Sequence, residues 1–280
     1  MGADLGLRGR RVVVLGLGTS GRAAARVLAE EGADVLVSEA RPRAALGDVA
    51  DLEALGVRIE AGGHAPSHLE GASLVVTSPG VPEGAPVLEL AGRRGLPVWS
   101  ELELGARLAR APYLGITGTN GKTTTTEMVV ACLRTAGIDA RGCGNIGHPF
   151  SLAAREGAEV LAVEASSFQL RFAVSFAPRV SVLLNLAPDH LDWHGTFEAY
   201  AEAKAGVFAN QSGDDVHVGN RDDPVAAALS RRAPCRVVWF TLGEPGEGEA
   251  GYVGGELVAR LDGERRLGRP LGGSGLRADA

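Results

Sequence analysis

The sequence has few cysteines, no excess of basic residues and no long apolar run, and each absence excludes a class of protein. Its three cysteines, Cys132, Cys143 and Cys235, have neither metal-ligand nor redox spacing, so we expect free thiols in a reducing compartment. The formal net charge of −6 disfavours a nucleic-acid binder that works through a general basic surface. Because no stretch has the length of a membrane span or the pattern of a secretion signal, we predict a cytoplasmic protein without a membrane or nucleic-acid partner.

The chain is long enough for one large or two ordinary domains. Hydrophobic residues make up 45% of its 280 residues and charged residues 22%, which is typical of a globular protein with a proper core. Residues 101–110 have a helical pattern that Ala111 and Pro112 interrupt. We therefore predict a domain boundary near residue 110, with one domain at 1–110 and a second at 111–280.

The first forty residues contain a strand, a glycine-rich turn, a helix and a second strand. An apolar run at 12–15 leads into G-L-G-T-S-G at 16–21, a helical pattern follows at 22–31, and a strand pattern at 34–38 ends at Glu39. The acid lies 18 residues beyond the last glycine, as in a βαβ nucleotide-binding unit. A turn of this kind binds a diphosphate and a nearby ribose, which NAD, FAD and a UDP group all supply. The turn therefore leaves the identity of the nucleotide open.

Two further turns follow strand patterns. The run Leu74–Thr77 ends in Ser78-Pro79-Gly80, which predicts either a ligand-binding turn at the edge of a parallel sheet or a plain Pro-Gly turn. The run Tyr113–Thr117 leads into G-T-N-G-K-T at 118–123, before a predicted helix at 122–136. In such a loop, backbone N–H groups converge on a phosphate while the lysine reaches its outer oxygens. The strict pattern has glycine where Ile116 stands, and an ordinary turn with a helix cap is the alternative.

The middle of the chain holds polar residues that could bind a metal. Glu164 ends a buried strand pattern at 160–163, the position at which phosphoryl-transfer enzymes hold Mg²⁺. A strand pattern at 180–184 runs into a segment with two His and two Asp, in which His190 is the better ligand candidate and His194 a packing residue. The spacing fits no structural zinc site. By composition alone, Lys204 in the predicted helix 197–208 is a solvated residue.

The loop G-C-G-N-I-G at 142–147 has one amide side chain, that of Asn145. Either it is a flexible turn, or Asn145 makes a polar contact to a ligand; the residues alone leave both open. Two separate phosphate turns in one chain favour an enzyme that combines a nucleotide-bearing substrate with a nucleoside triphosphate. The predicted fold class is α/β: an N-terminal Rossmann-like open sheet followed by a P-loop-type α/β central domain.

Taken together, these motifs resemble those of the Mur ligases, the ATP-dependent amino-acid-adding enzymes of peptidoglycan synthesis. The similarity covers about residues 10 to 240, and within the family it is greatest to the D-glutamate-adding branch. The motifs that carry it are G-L-G-T-S-G at 16–21, T-S-P-G at 77–80, T-G-T-N-G-K-T-T at 117–124, G-N-I-G at 144–147, E-A-S-S-F-Q-L at 164–170, D-H-L-D at 189–192 and N-R-D-D-P at 220–224.

The resemblance implies a substrate, cofactors and a set of site residues. It implies UDP-N-acetylmuramoyl-L-alanine, D-glutamate and ATP as substrates, two Mg²⁺ ions and a monomer. It implies that the UDP-linked substrate is bound by Gly18, Thr19, Ser20, Glu39, Arg41, Ser78, Gly80, Asn145, Ser166 and Gln169. It implies that the ATP phosphates are bound by Gly118, Thr119, Asn120, Gly121, Lys122, Thr123 and Thr124.

For the metals, the resemblance implies Thr123 and Glu164 as ligands of one Mg²⁺, with His190 and Lys204 as ligands of the second. Lys204 would act as its N6-carboxylated form, because an anionic oxygen suits a hard cation that repels an ammonium. Lys122, His190 and Lys204 would be the catalytic residues. The implied reaction activates the L-alanyl carboxylate as an acyl phosphate, which the D-glutamate amine then converts into an amide.

The family adds a C-terminal α/β domain, which this sequence does not show. We therefore expect residues 1–280 alone to bind nucleotide but to ligate poorly or not at all. Two other functions remain open from the sequence: a non-catalytic module that binds a nucleotide or UDP-sugar, and an NAD-dependent oxidoreductase suggested by the first glycine-rich turn alone.

Overall fold

The first sheet is an open parallel sheet whose strands all precede residue 101. The structure, a computed structural model, describes residues 5–268. The strands are β1 (Arg11–Leu15), β2 (Asp34–Glu39), β3 (Arg58–Ala61), β4 (Leu74–Thr77) and β5 (Val98–Ser100), in the order β3-β2-β1-β4-β5. The helices are α1 (Thr19–Glu30), α2 (Ala50–Ala54), α3 (Pro86–Arg93) and α4 (Glu101–Leu108), with 3₁₀ turns at Arg43–Ala45 and Pro66–Leu69. The strand order reverses between β1 and β4, where sheets of this kind bind ligands.

The second sheet is larger and mixed. Its strands are β6 (Tyr113–Thr117), β7 (Ala140–Gly144), β8 (Val160–Glu164), β9 (Val180–Leu183), β10 (Val216–Asn220), β11 (Arg236–Phe240), β12 (Glu249–Val253), β13 (Glu256–Arg260) and β14 (Glu264–Gly268), in the order β14-β13-β12-β11-β10-β9-β6-β8-β7. The helices are α5 (Lys122–Thr135), α6 (Phe150–Ala153), α7 (Ser167–Leu170), α8 (Leu191–His194), α9 (Phe197–Ala205) and α10 (Pro224–Ser230). Strands β6 to β12 are parallel to one another, whereas β13 and β14 add an antiparallel extension.

The fold class predicted from the sequence is confirmed, whereas several element bounds differ. Helix α1 begins at Thr19 instead of residue 22, and α9 ends at Ala205 instead of residue 208. The strands β5, β7 and β12 to β14 were not expected, because they are short or carry glycines and charges that mask an apolar pattern. No helix within residues 5–268 is long and apolar enough to cross a membrane.

Helix α4 connects the two sheets. The buried carboxylate of Glu103 accepts hydrogen bonds from the backbone amides of Val174 and Ser175, both at 2.8 Å, and from the Ser175 hydroxyl at 2.6 Å. Glu101, also buried, accepts the backbone amide of Ser151 at 2.6 Å. One apolar cluster continues across this junction, from Val12 and Leu28 near the first sheet to Phe150 and Phe176 near the second. Sheet membership changes between Ser100 and Tyr113, and the domain boundary near 110 stays a prediction.

Candidate active site

A cleft of about 590 Å³ lies at the carboxyl ends of β1, β2 and β4. It contains every residue expected to bind the UDP-linked substrate except Ser166 and Gln169. Its lining includes Gly18, Thr19, Ser20, Glu39, Arg41, Ser78, Gly80 and Asn145. Gly18 precedes α1 without a side-chain cap, so the first amides of this 12-residue helix remain open to an anion.

Close packing of α1 on β1 gives the cleft its shape. A Cβ atom on Gly21 would lie 2.1 Å from the carbonyl oxygen of Gly16 and 2.7 Å from Ser78 Oγ. Only glycine lets the helix approach the strand this closely, which is the packing role of the third glycine in a G-x-G-x-x-G turn. Ser78 Oγ in turn donates to the Gly16 carbonyl at 3.2 Å, so the turns after β1 and β4 are bonded to each other.

The carboxylate of Glu39 is engaged within the protein. It accepts the backbone amide of Leu17 at 2.6 Å and that of Arg41 at 2.8 Å, and the Arg41 guanidinium lies 3.1 Å away. Burial acts to raise the pKa of Glu39, but the hydrogen bonds from Arg41 and Leu17 outweigh it and lower the pKa to about 2. The charged carboxylate therefore fixes the glycine-rich turn, with Arg41 half exposed beside it.

The second phosphate turn follows β6. Gly121 adopts the left-handed conformation at φ 82° and precedes the 14-residue helix α5 without a side-chain cap, which leaves the first amides of α5 open to an anion. Thr124 is exposed in the first helical turn. Asn120 is bonded through its backbone to the side chain of Asn185, and Thr119 bonds Tyr200 Oη at 2.9 Å.

Two lysine side chains meet at one carbonyl oxygen of this turn. Lys122 Nζ donates to Gly118 O at 3.0 Å and to Thr119 O at 2.8 Å, and Lys204 Nζ donates to Gly118 O at 2.7 Å. The sequence contains no other lysine. Lys204 is 2% exposed, and burial, followed by the charge of Lys122, lowers its pKa to about 7, against the weaker attraction of Asp189 and Glu164. Reading Lys204 as a solvated residue was therefore wrong.

A short chain of hydrogen bonds joins the cleft to the phosphate turn. Thr123 Oγ1 donates to Glu164 Oε2 at 2.8 Å, and Asn145 Nδ2 donates to Glu164 Oε1 at 3.0 Å. Asn145 also lines the cleft, and its backbone amide bonds the Glu164 carbonyl at 2.8 Å. A Cβ atom on the neighbouring Gly144 would lie 2.2 Å from that carbonyl, so glycine is required where the loop passes β8.

His190 and His194 occupy different environments. His194 is buried, bonded to Ser167 Oγ at 3.0 Å and stacked on Phe168, which makes it a packing residue. His190 is exposed, at φ 52°, with Nε2 3.4 Å from Asp189 Oδ2 and its ring 6.4 Å from that of Tyr200. Within residues 5–268, no group of three or more His, Cys, Asp or Glu side chains is arranged to hold a metal.

Ser166 and Gln169 form a capping box at the start of α7. Ser166 Oγ accepts the backbone amide of Gln169 at 3.3 Å, and Gln169 Oε1 accepts that of Ser166 at 3.1 Å. The side-chain nitrogen of Gln169, Nε2, is buried without a hydrogen-bond partner. Neither residue lines the cleft, so their role toward a substrate stays a prediction.

Two family signatures cover most of the chain. The Mur ligase MurD-like N-terminal domain matches residues 10–100, and the Mur ligase middle domain matches residues 116–254. A UDP-N-acetylmuramoylalanine--D-glutamate ligase of Pelotomaculum thermopropionicum is 42% identical over 92% of this chain and 57% of its own length. One of Anaeromyxobacter dehalogenans is 46% identical over 89% of this chain and 54% of its own length.

The chain belongs to the Mur ligase family. It spans about half the length of the curated relatives that it matches. Among solved structures, the UDP-N-acetylmuramate:L-alanyl-gamma-D-glutamyl-meso-diaminopimelate ligase of Neisseria meningitides has a TM-score of 0.59 and 22% identity, covering 90% of this chain and 85% of that one. A murein peptide ligase of Psychrobacter arcticus has a TM-score of 0.55 and 20% identity, covering 95% and 62%. At these identities the two structures support the Mur ligase fold.

Among the titratable side chains that line the cleft, that of His64 was not expected from the sequence. His64 lines the cleft from the loop that follows β3, next to the end of β2. The position of His64 soon after a predicted strand could have indicated this, because the carboxyl ends of adjacent parallel strands meet at one edge of a sheet. Without knowing that β3 pairs with β2, however, His64 cannot be assigned to the same edge as Glu39.

Proposed function

We propose that this chain is the part of a D-glutamate-adding Mur ligase that binds UDP-N-acetylmuramoyl-L-alanine and ATP for peptidoglycan precursor synthesis. One observation carries the proposal: Asn145 lines the cleft and bonds Glu164, which bonds Thr123 of the phosphate turn. Two anion-binding turns are thus connected through three side chains. A ligase needs this proximity, because its two anionic substrates must be held against each other before reaction.

The relatives favour UDP over a nicotinamide dinucleotide, because they are UDP-N-acetylmuramoylalanine--D-glutamate ligases. Both nucleotides carry a ribose, which would lie next to the acid at the end of β2. Here that acid, Glu39, already accepts bonds from Leu17 and Arg41 on both oxygens, so it does not discriminate between the two nucleotides. The open amides of α1 and the turn at Ser78 and Gly80 remain for the diphosphate.

The phosphate turn supports ATP and one Mg²⁺. Thr123 Oγ1 and Glu164 Oε2 are hard oxygen donors 2.8 Å apart at the start of α5, and Mg²⁺ takes one or two protein oxygens together with phosphate and water. Bound there, Mg²⁺ would neutralise charge on the transferred phosphoryl group. Lys122 would leave the carbonyls of Gly118 and Thr119 to bind the outer phosphates.

The second metal position fits the present residues only if Lys204 is carboxylated. Without carboxylation, Lys204 donates a hydrogen bond to Gly118 O and offers no oxygen to a metal, and His190 alone is a weak and exposed site. A pKa of about 7 leaves a large share of the amine neutral at physiological pH, which is the form that adds CO₂. Nitrogen would bond to the carbon of CO₂ and lose a proton, giving an anionic carbamate oxygen for the metal.

In the proposed reaction, an oxygen of the L-alanyl carboxylate attacks the γ-phosphorus of ATP, and the bond to the ADP oxygen breaks. The D-glutamate nitrogen then attacks the carbonyl carbon of the acyl phosphate, inorganic phosphate leaves, and the nitrogen loses a proton. Lys122 stabilises the negative charge on the phosphoryl oxygens, and Asn145 holds the substrate end of the cleft beside Glu164.

The test is to titrate this chain with UDP-N-acetylmuramoyl-L-alanine, UDP and NADH by calorimetry. We expect the two uridine ligands to bind and NADH not to bind. The variant Lys122→Ala should weaken binding of a non-hydrolysable ATP analogue at least tenfold and leave UDP binding unchanged. Binding of NADH without binding of UDP would contradict the proposal and favour an oxidoreductase.

A further inference from the structure

The loop that contains His64 is attached to the end of β2. Gly62 and Gly63, at φ 95° and 143°, both donate their amides to the carbonyl of Glu39, at 3.0 and 3.1 Å. These backbone angles favour glycine, which allows the chain to turn back immediately after β3. His64 is thereby fixed over the carboxyl end of β2, half buried at the edge of the cleft.

The strand order gives His64 a position along a bound nucleotide. The diphosphate would lie at the glycine turn after β1, and the ribose next to Glu39 after β2. Strand β3 is the next strand outward from β2, so His64 lies beyond the ribose position on the side away from the diphosphate. A nucleobase would extend in this direction.

The ring of His64 is oriented by a buried hydroxyl. Ser38 Oγ, fully buried on β2, lies 2.8 Å from His64 Nδ1 and 2.8 Å from His68 Nδ1. A hydroxyl has one proton, so it donates to one ring and accepts from the other. When both rings are neutral, one of the two therefore carries its proton on Nδ1 and the other on Nε2.

We propose that His64 recognises the nucleobase of the nucleoside diphosphate through its Nε2 atom, and that Ser38 and His68 are positioning residues that set its tautomer. The inference rests on the proposed UDP-binding function of the cleft. Uracil presents two carbonyl acceptors and one N–H donor at its polar edge, and either tautomer of His64 finds a partner there. Nδ1 is held by Ser38, which leaves Nε2 available to the ligand.

His64 remains neutral at the pH of the proposed test. Burial lowers its pKa, the charge of Glu39 opposes this effect, and His68 adds to it. Arg41, bonded to Glu39, is the other charged side chain that lines this end of the cleft. At pH 8 the ring is uncharged, so a change in ligand affinity reports hydrogen bonding instead of charge.

The experiment is an NMR titration of the chain with UDP, UMP and ribose 5-phosphate at pH 8. The variant His64→Ala removes one hydrogen bond to the base, so its affinity for UDP and for UMP should fall by the same factor, roughly three- to tenfold. Binding of ribose 5-phosphate, which has no base, should not change. The variant His148→Ala is the matched control, because His148 is exposed, pairs with Glu156 and does not line the cleft.

The outcomes are distinguishable. Equal UDP affinity in wild type and His64→Ala overturns the role of His64 and leaves the cleft function intact. An equal loss for ribose 5-phosphate also overturns it, because the effect is then structural. If the wild-type chain does not bind UDP, the proposed function and this inference both fail.

Nitrogen-15 spectra of the histidine rings provide a test on the wild-type chain, to which the variant Ser38→Ala adds a comparison. At pH 8, one of His64 and His68 should be protonated on Nδ1 and the other on Nε2, and UDP should shift His64 Nε2. In Ser38→Ala, the hydroxyl that forces His64 and His68 into opposite tautomers is absent, so the two rings should no longer be restricted to opposite tautomers. Two rings in the same tautomer in the wild-type chain, or no shift of His64 Nε2 with UDP, would overturn the proposal.

Discussion

We expect the amine of Lys204 to lose its proton near neutral pH and to react with CO₂. The structure gives two reasons: the side chain is 2% exposed, and its nitrogen shares the carbonyl oxygen of Gly118 with the ammonium of Lys122. These lower the pKa of Lys204 from 10.5 to about 7. At pH 7.5, about three quarters of such amines are neutral, against about one in a thousand at the ordinary pKa. The reactive form is therefore enriched by a factor on the order of several hundred.

The chain is suited to this measurement because it contains two lysines in total, Lys122 and Lys204. With carbon-13 labelled lysine, an NMR titration should show one side chain with a pKa near 7, which Lys204→Arg assigns. The variant Lys122→Ala should raise the pKa of Lys204, because it removes the like charge. With carbon-13 labelled bicarbonate, a carbamate signal should be present in wild type and absent from Lys204→Ala.

Two results would refute the reasoning. If Lys204 titrates near 10.5, burial and Lys122 do not act on it as argued. If the carbamate signal persists in Lys204→Ala, the carboxylated group is Lys122 or the N-terminal amine. In a full-length enzyme, Lys204→Ala should also abolish turnover, and short carboxylic acids should restore part of it.

The other predictions concern stability. His217 is fully buried between the hydroxyls of Ser181 and Ser230, and burial lowers its pKa to about 4, so the unfolded chain binds a proton first as the pH falls below 6.5. In urea unfolding, the free energy of unfolding should therefore fall by about 2 kcal/mol between pH 7 and 5. This loss should be absent from His217→Gln, and equal pH dependence in both proteins would contradict the argument. Glu103→Ala should lower the free energy of unfolding by about 3 kcal/mol, because it leaves buried amides unpaired. The control Glu202→Ala breaks an exposed pair with Arg232 and should lower it by less than about 1 kcal/mol. Similar losses in the two variants would show that α4 does not hold the junction between the sheets. Gly21→Ala should lower the melting temperature strongly, because the added Cβ atom clashes with Gly16. The control Gly92→Ala in α3, where a Cβ atom meets no neighbour within 4 Å, should leave the melting temperature equal or higher. An unchanged melting temperature in Gly21→Ala would contradict the close packing of α1 on β1.

The two glycine-rich turns between a strand and a helix could be predicted from the sequence because each is local. A buried strand, a turn that needs glycine and a helix that begins without a side-chain cap lie within about ten consecutive residues, and the residue types report all three. The α/β class follows from the same alternation of patterns. The residue types do not show the partner of each side chain: at the start of α5, Thr123 bonds Glu164 whereas Thr126 bonds the carbonyl of Lys122.

The sequence by itself thus determined the two strand–turn–helix units that we propose as phosphate sites, and the α/β architecture of the chain. The tertiary structure decided what these turns are joined to: Asn145 lies beside Glu164, Lys204 beside Lys122, and His64 beside Glu39. The physical reason is that these contacts join residues from different strands and helices. A local pattern carries no information on which strands pair. Burial, which lowers the pKa of Lys204 to about 7, exists only after the chain has folded.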